Sequence, residues 1–218
     1  VNAFNFPAWG MCEKLACSVL AGVLAISKPG TPTALVAYRV AQVVAQSNVL
    51  PEGAFQFVCG SLGDTLDHLG PQDTLAFTGS AKTGALLKGH ARLIGANTRV
   101  TLEADSLNCA ILAPDVGDDA DTWSAFVNHL VTDLTQKTGQ KCTAVRRILV
   151  PRDRVEAVVE TLVDRLARIA IGDPADEATK MGPLASGAQF EDVTKGMRAL
   201  AAVARTAIRL ARLNGCWP

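Results

Sequence analysis

Short apolar runs alternate with longer helical stretches through the first half of this chain, and that alternation restricts the fold more than any other feature. "FVCG" around Phe57, "LAFTGS" around Phe77, "RVTLEA" around Leu102 and "CAILA" around Ile111 read as buried strands. The stretches at about residues 9–21, 32–47, 61–69 and 80–93 read as helices. Thr31 and Ser80 stand where N-caps belong, and Pro32 suits a first helical position. Strand, helix, strand repetition of this kind builds a parallel α/β sheet with helices on both faces.

The rhythm changes after Ala104. A helix is expected at about residues 122–136, ending near Gly139, then a strand at 147–150 and an amphipathic helix at 154–169. A domain boundary is therefore expected at 104–107, dividing the chain into 1–104 and 105–218. The tail is atypical from about residue 193: from Lys195 to Pro218 it has five basic residues, no acidic one, and the ending "NGCWP". A basic helix is one reading of it, and a truncated or out-of-frame end is the preferred one. The apolar stretch at 15–26 follows Glu13 and Lys14 and is too short to span a bilayer. Val1 is not an initiator methionine, so a partial chain is expected.

Composition narrows the function classes. The 218 residues are 49% hydrophobic and 19% charged, enough to bury a real core. Basic and acidic residues balance at a net charge of +0, and aromatic residues make up 5%, so neither a nucleic acid nor an anionic membrane is an expected partner. Cys12, Cys17, Cys59, Cys109, Cys142 and Cys216 form no C-x-x-C pair, which fits reduced thiols in a cytoplasmic protein. His68, His90 and His129 are scattered, and no metal site is expected.

Several segments carry residues of chemical interest. In "KTGQKCTAVRR", Cys142 falls just beyond a helix end, beside Gly139 and Lys141. A nucleophilic thiol needs access and nearby cations, although an inert thiol packed beside the next strand fits the same residues. In "FTGSAKTG", a strand runs through Gly79 and Ser80 into a helix whose N–H groups suit a phosphate, yet the spacing is not G-x-G-x-x-G and a plain turn fits equally. Asn5 precedes Pro7 in "NAFNFPAWG", where a turn could fix its amide. Lys28 and Glu103 stand at strand ends, where ligands of open α/β sheets bind. Taken singly, each is more often structural.

Together, Asn5, Lys28, "FTGS", Glu103 and "GQKC" occur in an order and approximate spacing that resembles the aldehyde dehydrogenase superfamily, from the first residues to about Glu191. That resemblance implies a Rossmann-like NAD(P)-binding part followed by the start of a catalytic domain, both incomplete. It implies that Cys142 is the nucleophile, that Asn5 with the Cys142 N–H forms an oxyanion hole, that Glu103 activates water, and that Lys14 serves a proton relay. It also implies that Lys28 meets the adenosine ribose and that Gly79 and Ser80 lie at the pyrophosphate turn. Where many NAD-preferring members carry glutamate, Thr31 stands here, so NADP is expected to be accepted and slightly preferred over NAD. A kinetic preference for NAD of about a hundredfold, near 2.7 kcal/mol, would contradict this.

The departures narrow the resemblance. "EADSLN", from Glu103 to Asn108, replaces the usual "ELGGKSP", rebuilding a tight glycine turn, and Phe4 replaces the usual tryptophan. These features look like the branch that oxidises ring-opened, coenzyme-A-linked semialdehydes in phenylacetate or benzoate breakdown. The expected substrate is then a small CoA-linked aldehyde and the product a free acid. The full-length form is expected to be a homo-oligomer, in some relatives fused to a hydratase domain. The later "E-x-F-G-P" segment has no match before Pro218. The alternative is therefore a truncated, inactive fragment serving as a binding or assembly module. A coenzyme-A-acylating reductase, a third class, would not need Glu103.

Overall fold

The structure, a computed structural model, describes residues 1–117 and 121–207. The chain divides into two compact units, Val1–Asp105 and Ser106–Pro218.

The first unit contains α1 (Trp9–Leu20), β1 (Ala25–Ser27), α2 (Ala34–Gln46), β2 (Phe55–Phe57), β3 (Thr74–Gly79), α3 (Ala81–Lys88), α4 (Ala91–Gly95) and β4 (Arg99–Ala104). β1 pairs with β2 and β3 with β4, both parallel. Val1 and Asn2 lie between the two pairs. The Val1 nitrogen donates to Ala76 O at 2.7 Å and Thr78 N–H to Val1 O at 3.1 Å, while Asn2 N–H donates to Lys28 O at 2.9 Å. Alternation along β3 sends Leu75 and Phe77 into a core with Leu87 and Leu93, joined by Val100 and Leu102 of β4. Thr78 and Glu103, paired in register, take the other face at the strand ends. A second cluster of Met11, Ala37 and Ala41 packs α1 and α2 beside Phe55 and Phe57.

The second unit contains β5 (Asn108–Ile111), α5 (Asp121–Thr135), β6 (Val145–Leu149), α6 (Val155–Ala167) and α7 (Gly187–Ala201), with β5 and β6 parallel. Val127, Leu130 and Val131 of α5 follow helical spacing onto one face. They meet Leu112, Val145, Val158 and Leu162 in the unit's core. Each such side chain contributes roughly 1.5–3 kcal/mol on burial.

The observed elements correct four expectations. The helix expected at 61–69 is only a 3-10 turn, Thr65–His68, because Gly63 at φ 54 interrupts the path. The helix expected at 80–93 is two, α3 and α4, separated at Gly89 and His90. Ser80 does cap α3, accepting from Thr83 N–H, but Thr31 caps nothing: it opens a 3-10 turn, Thr31–Thr33, ahead of α2. Of the strands expected to be buried, β2, β4 and β5 hold no fully buried residue, and Ile111 of β5 is 68% exposed. Among the described residues, no helix is long and apolar enough to cross a membrane, and no group of three ligand-type side chains could hold a metal. The basic tail falls partly on residues 208–218, outside the described residues.

Candidate active site

The expected site residues fall in two groups, one in each unit. In the first unit, α1 brings Lys14 to the strand ends, where its ammonium donates to Thr78 Oγ1 at 3.0 Å and to Gly10 O at 3.4 Å. Thr78 Oγ1 in turn donates to Glu103 Oε2 at 3.5 Å. A hydroxyl can accept and donate at once, so Lys14, Thr78 and Glu103 form one line of proton-bearing groups. Glu103 is exposed at the end of β4, where a carboxylate can reach water or a ligand. Sequence reading missed Thr78. The signal was its place in "FTGS", on the same strand face as Glu103 by the period of two.

Asn5 lies in the turn before α1, half-buried. Its segment is fastened to the loop after β1: Thr33 Oγ1 donates to Phe4 O at 2.7 Å, and Asn2 Nδ2 donates to Ser27 Oγ at 2.9 Å. Gly30 makes this approach possible, since a Cβ there would lie 2.7 Å from Phe4 N and 2.9 Å from Phe4 Cα. Lys28 and Thr31 border the same loop, Lys28 half-buried and Thr31 exposed.

At the other strand end, β3 passes through Gly79 to the exposed Ser80 at the N-terminus of α3. A Cβ on Gly79 would meet the Phe77 ring at 2.5 Å. Lys28 supplies a cation and the first turn of α3 a set of backbone N–H donors. One of those donors is already engaged, because Ala81 N–H goes to Asp105 Oδ2 at 3.1 Å. Asp105 sits at φ 47 and so takes, with a carboxylate, the left-handed turn that "EADSLN" rebuilds without glycine.

The second unit holds Cys142 in a loop between α5 and β6. Cys142 is exposed. The backbone around it is pinned. Asn108 Nδ2 donates to Cys142 O at 2.7 Å, and Ser106 Oγ donates to the same oxygen. Upstream, Lys137, Thr138 and Gly139 lie at φ 51, 57 and 69, three left-handed residues in succession. For a β-branched threonine that conformation costs about 1–2 kcal/mol. Thr138 Oγ1 offsets it by donating to Gly182 O at 2.9 Å, and Gln140 Oε1 accepts from Ala185 N–H at 2.9 Å. Arg146 closes the turn on Gly139 O at 2.7 Å.

Lys141, expected to help form thiolate, turns to Asp133 instead, with Nζ and Oδ1 2.5 Å apart. The Asp133 carboxyl lies below its ordinary range. The hydrogen bond from Lys141 is the main cause, burial opposes it, and Val145 N–H, the Lys141 charge and His129 add to the lowering. Lys137 is the lysine whose ammonium feels the Cys142 thiol. Lost hydration pushes it down from the ordinary lysine value, Cys142 pulls it up, and Lys141 pushes it down.

Comparison with known proteins gives a consistent result. The model of the aldehyde dehydrogenase family matches residues 1–208. A 3,4-dehydroadipyl-CoA semialdehyde dehydrogenase of Aromatoleum evansii is 43% identical over 200 residues, 92% of this chain and 39% of that protein. An aminoacetaldehyde dehydrogenase of Pseudomonas aeruginosa is 33% identical over 218 residues, 99% of this chain and 42% of that protein. Among solved structures, a mutant of aldehyde dehydrogenase C from Pseudomonas syringae, complexed with NAD+ and octanal, superposes with a TM-score of 0.86 at 31% identity. It covers 99% of this chain and 44% of that one. A point mutant of betaine aldehyde dehydrogenase from Staphylococcus aureus, in complex with NAD+, gives 0.84 at 27%, covering 97% and 42%. The chain thus spans about two fifths of the length of the curated relatives it matches.

Proposed function

Because the chain belongs to the aldehyde dehydrogenase family, we propose that the protein carrying it oxidises an aldehyde to a carboxylic acid through a thioester on Cys142. The observation that carries this reading is the exposed Cys142 thiol on a backbone whose carbonyl is held by Asn108 and Ser106. A nucleophile so held keeps its direction while its sulfur stays open to substrate.

The Cys142 thiolate attacks the aldehyde carbon, and the oxygen takes the negative charge. Asn5 Nδ2 and the Cys142 N–H serve that oxyanion, a role in which one donor contributes about 2.7–4 kcal/mol to lowering the barrier. When bound, a nicotinamide dinucleotide supplies the hydride acceptor. Lys28, Gly79 and Ser80 would hold it, and Thr31 offers no carboxylate against a 2′-phosphate, so NADP would be accepted and slightly preferred over NAD. Glu103 then takes a proton from water, which attacks the thioester carbon. The C–S bond breaks, the Cys142 thiolate returns and a carboxylic acid leaves. The line of bonds from Lys14 through Thr78 orients the Glu103 carboxylate and delivers protons toward it, while the proton taken from water leaves Glu103 to solvent, to which it is exposed. The 43% identity to the Aromatoleum enzyme favours a CoA-linked semialdehyde from aromatic-compound breakdown as substrate.

The test uses the complete protein. Cys142→Ala is expected to abolish turnover. Glu103→Gln is expected to slow it about 10²- to 10⁴-fold, with an acyl adduct on Cys142 visible by intact mass. Undiminished turnover in Cys142→Ala would end the reading. Undiminished turnover without adduct in Glu103→Gln would remove Glu103 from it.

A further inference from the structure

The carboxylate of Asp133 has no part in the chemistry above, yet it is the buried charged group nearest in sequence to the nucleophile. Asp133 is 5% exposed and lies near the end of α5, one turn beyond Leu130 of the core. A carboxylate is costly to bury there unless every lone pair is used. Its two oxygens go to the two ends of one short loop. Oδ1 accepts from the Lys141 ammonium at 2.5 Å and Oδ2 from the Val145 N–H at 2.5 Å. Lys141 immediately precedes Cys142, and Val145 opens β6 three residues after it.

We propose that Asp133 is the positioning residue of the nucleophile, a buried anchor that clamps the loop on both sides of Cys142 and keeps the Lys141 charge turned away from the thiol. The inference rests on the reading of Cys142 as nucleophile. Three features besides the two bonds support it. Gln136 Oε1 accepts a second bond from Lys141 at 3.1 Å, so the ammonium is held at two points on the α5 side. The Cys142 carbonyl is held by Asn108 and Ser106, so the backbone at the nucleophile is fixed midway between the two points that Asp133 holds. The left-handed turn upstream is fixed as well, since Thr138 Oγ1 donates to Gly182 O at 2.9 Å, so the segment enters the nucleophile loop from a held point.

Loss of Asp133 alone would strand a half-buried ammonium, so the decisive variant is Asp133→Asn with Lys141→Met. It replaces the ion pair by neutral groups of similar size, a change that stability often tolerates. In the complete protein this double variant is expected to melt within a few degrees of the parent. It is expected to lose about a hundredfold in kcat with KM for the aldehyde nearly unchanged, because a displacement of about 1 Å at a reacting atom costs on that order. Iodoacetamide labelling of Cys142, followed by peptide mapping on the 218-residue chain, gives a second measure that needs no turnover. There the labelling rate is expected to differ from the parent's by about tenfold or more, and Asp133→Glu, which keeps the carboxylate, to recover most of the difference. Parent-like kcat and parent-like labelling in the double variant would overturn the proposal. Cys142→Ser separates the two ideas. If it retains turnover, the nucleophile reading has failed. If it abolishes turnover while the double variant matches the parent, only the anchor has failed.

Discussion

Gly30 decides more at the level of single residues than its neighbours with longer side chains. Its place is set by contact with backbone atoms, which cannot rotate aside: a Cβ there would stand 2.7 Å from Phe4 N, 2.9 Å from Phe4 Cα and 3.1 Å from the Ala3 carbonyl carbon. The segment it touches carries Asn5, and the loop it belongs to carries Lys28 and Thr31. Gly30→Ala must therefore push apart the segment of Asn5 and the loop of Lys28 and Thr31. We expect a loss of about 1–3 kcal/mol in stability from overpacking. We also expect a fall of about tenfold or more in kcat of the complete protein, since the Asn5 amide, proposed to serve the oxyanion, would be displaced. Melting curves and turnover measured together check this, and an alanine variant matching the parent in both would show that the approach is looser than its geometry. Leu130, fully buried, lacks this second effect: its truncation to alanine costs stability through a cavity.

At the level of elements, α5 couples a core face to the Cys142 loop, and the coupling depends on pH. Asp133 is held below its ordinary range in the folded unit, chiefly by the Lys141 hydrogen bond. The unfolded chain therefore takes up its proton at a higher pH than the folded one. The stabilisation is complete above the ordinary aspartate value of about 3.9, and it is lost as the pH falls through the lower folded value. In urea titrations Asp133→Asn is thus expected to be less stable than the parent at pH 6, by at most about 3 kcal/mol, with the gap closing below about pH 3.5. A gap constant across that range would mean that the pair contributes nothing through its charge. The same element shows what could be read from sequence and what could not. The stripe of Val127, Leu130 and Val131 announced the helix, and "GQKC" announced the loop. Asp133 went unnoticed because its function depends on a lysine eight residues later, across a left-handed turn that no local periodicity encodes. The break between α3 and α4 was marked by "KGH", but strong helix formers on both sides masked it. Thr78 was hidden differently: its role appears only once β3 and β4 pair in register and Lys14 arrives from α1.

At the scale of the whole molecule, each unit leaves apolar surface uncovered. In the first unit, Val23, Leu24 and Ile26 around β1 are 57%, 68% and 55% exposed, and Leu35, Val36 and Val43 on α2 are 68%, 50% and 66% exposed. In the second, Ile111 of β5 and Leu149 of β6, paired in register, are 68% and 51% exposed. Scattered apolar side chains on a surface are ordinary, but runs of them along a strand and its neighbouring helix mark a face that something covers. Two-stranded sheets also leave backbone N–H and C=O groups open along their edges, a template for further strands. The matched relatives are more than twice as long as this chain, and the rest of such a protein is the natural cover. The 218-residue chain by itself is therefore expected to bind a dye specific for exposed apolar surface and to associate as its concentration rises through the micromolar range. A longer version, extended by the sequence that aligns with the rest of the relatives, is expected to bind far less dye. Dye fluorescence and light scattering on the two forms check this directly. If the short chain stayed monomeric and dark, its uncovered strands would be a self-sufficient surface, and the case for a protein of the relatives' length would lose its physical basis.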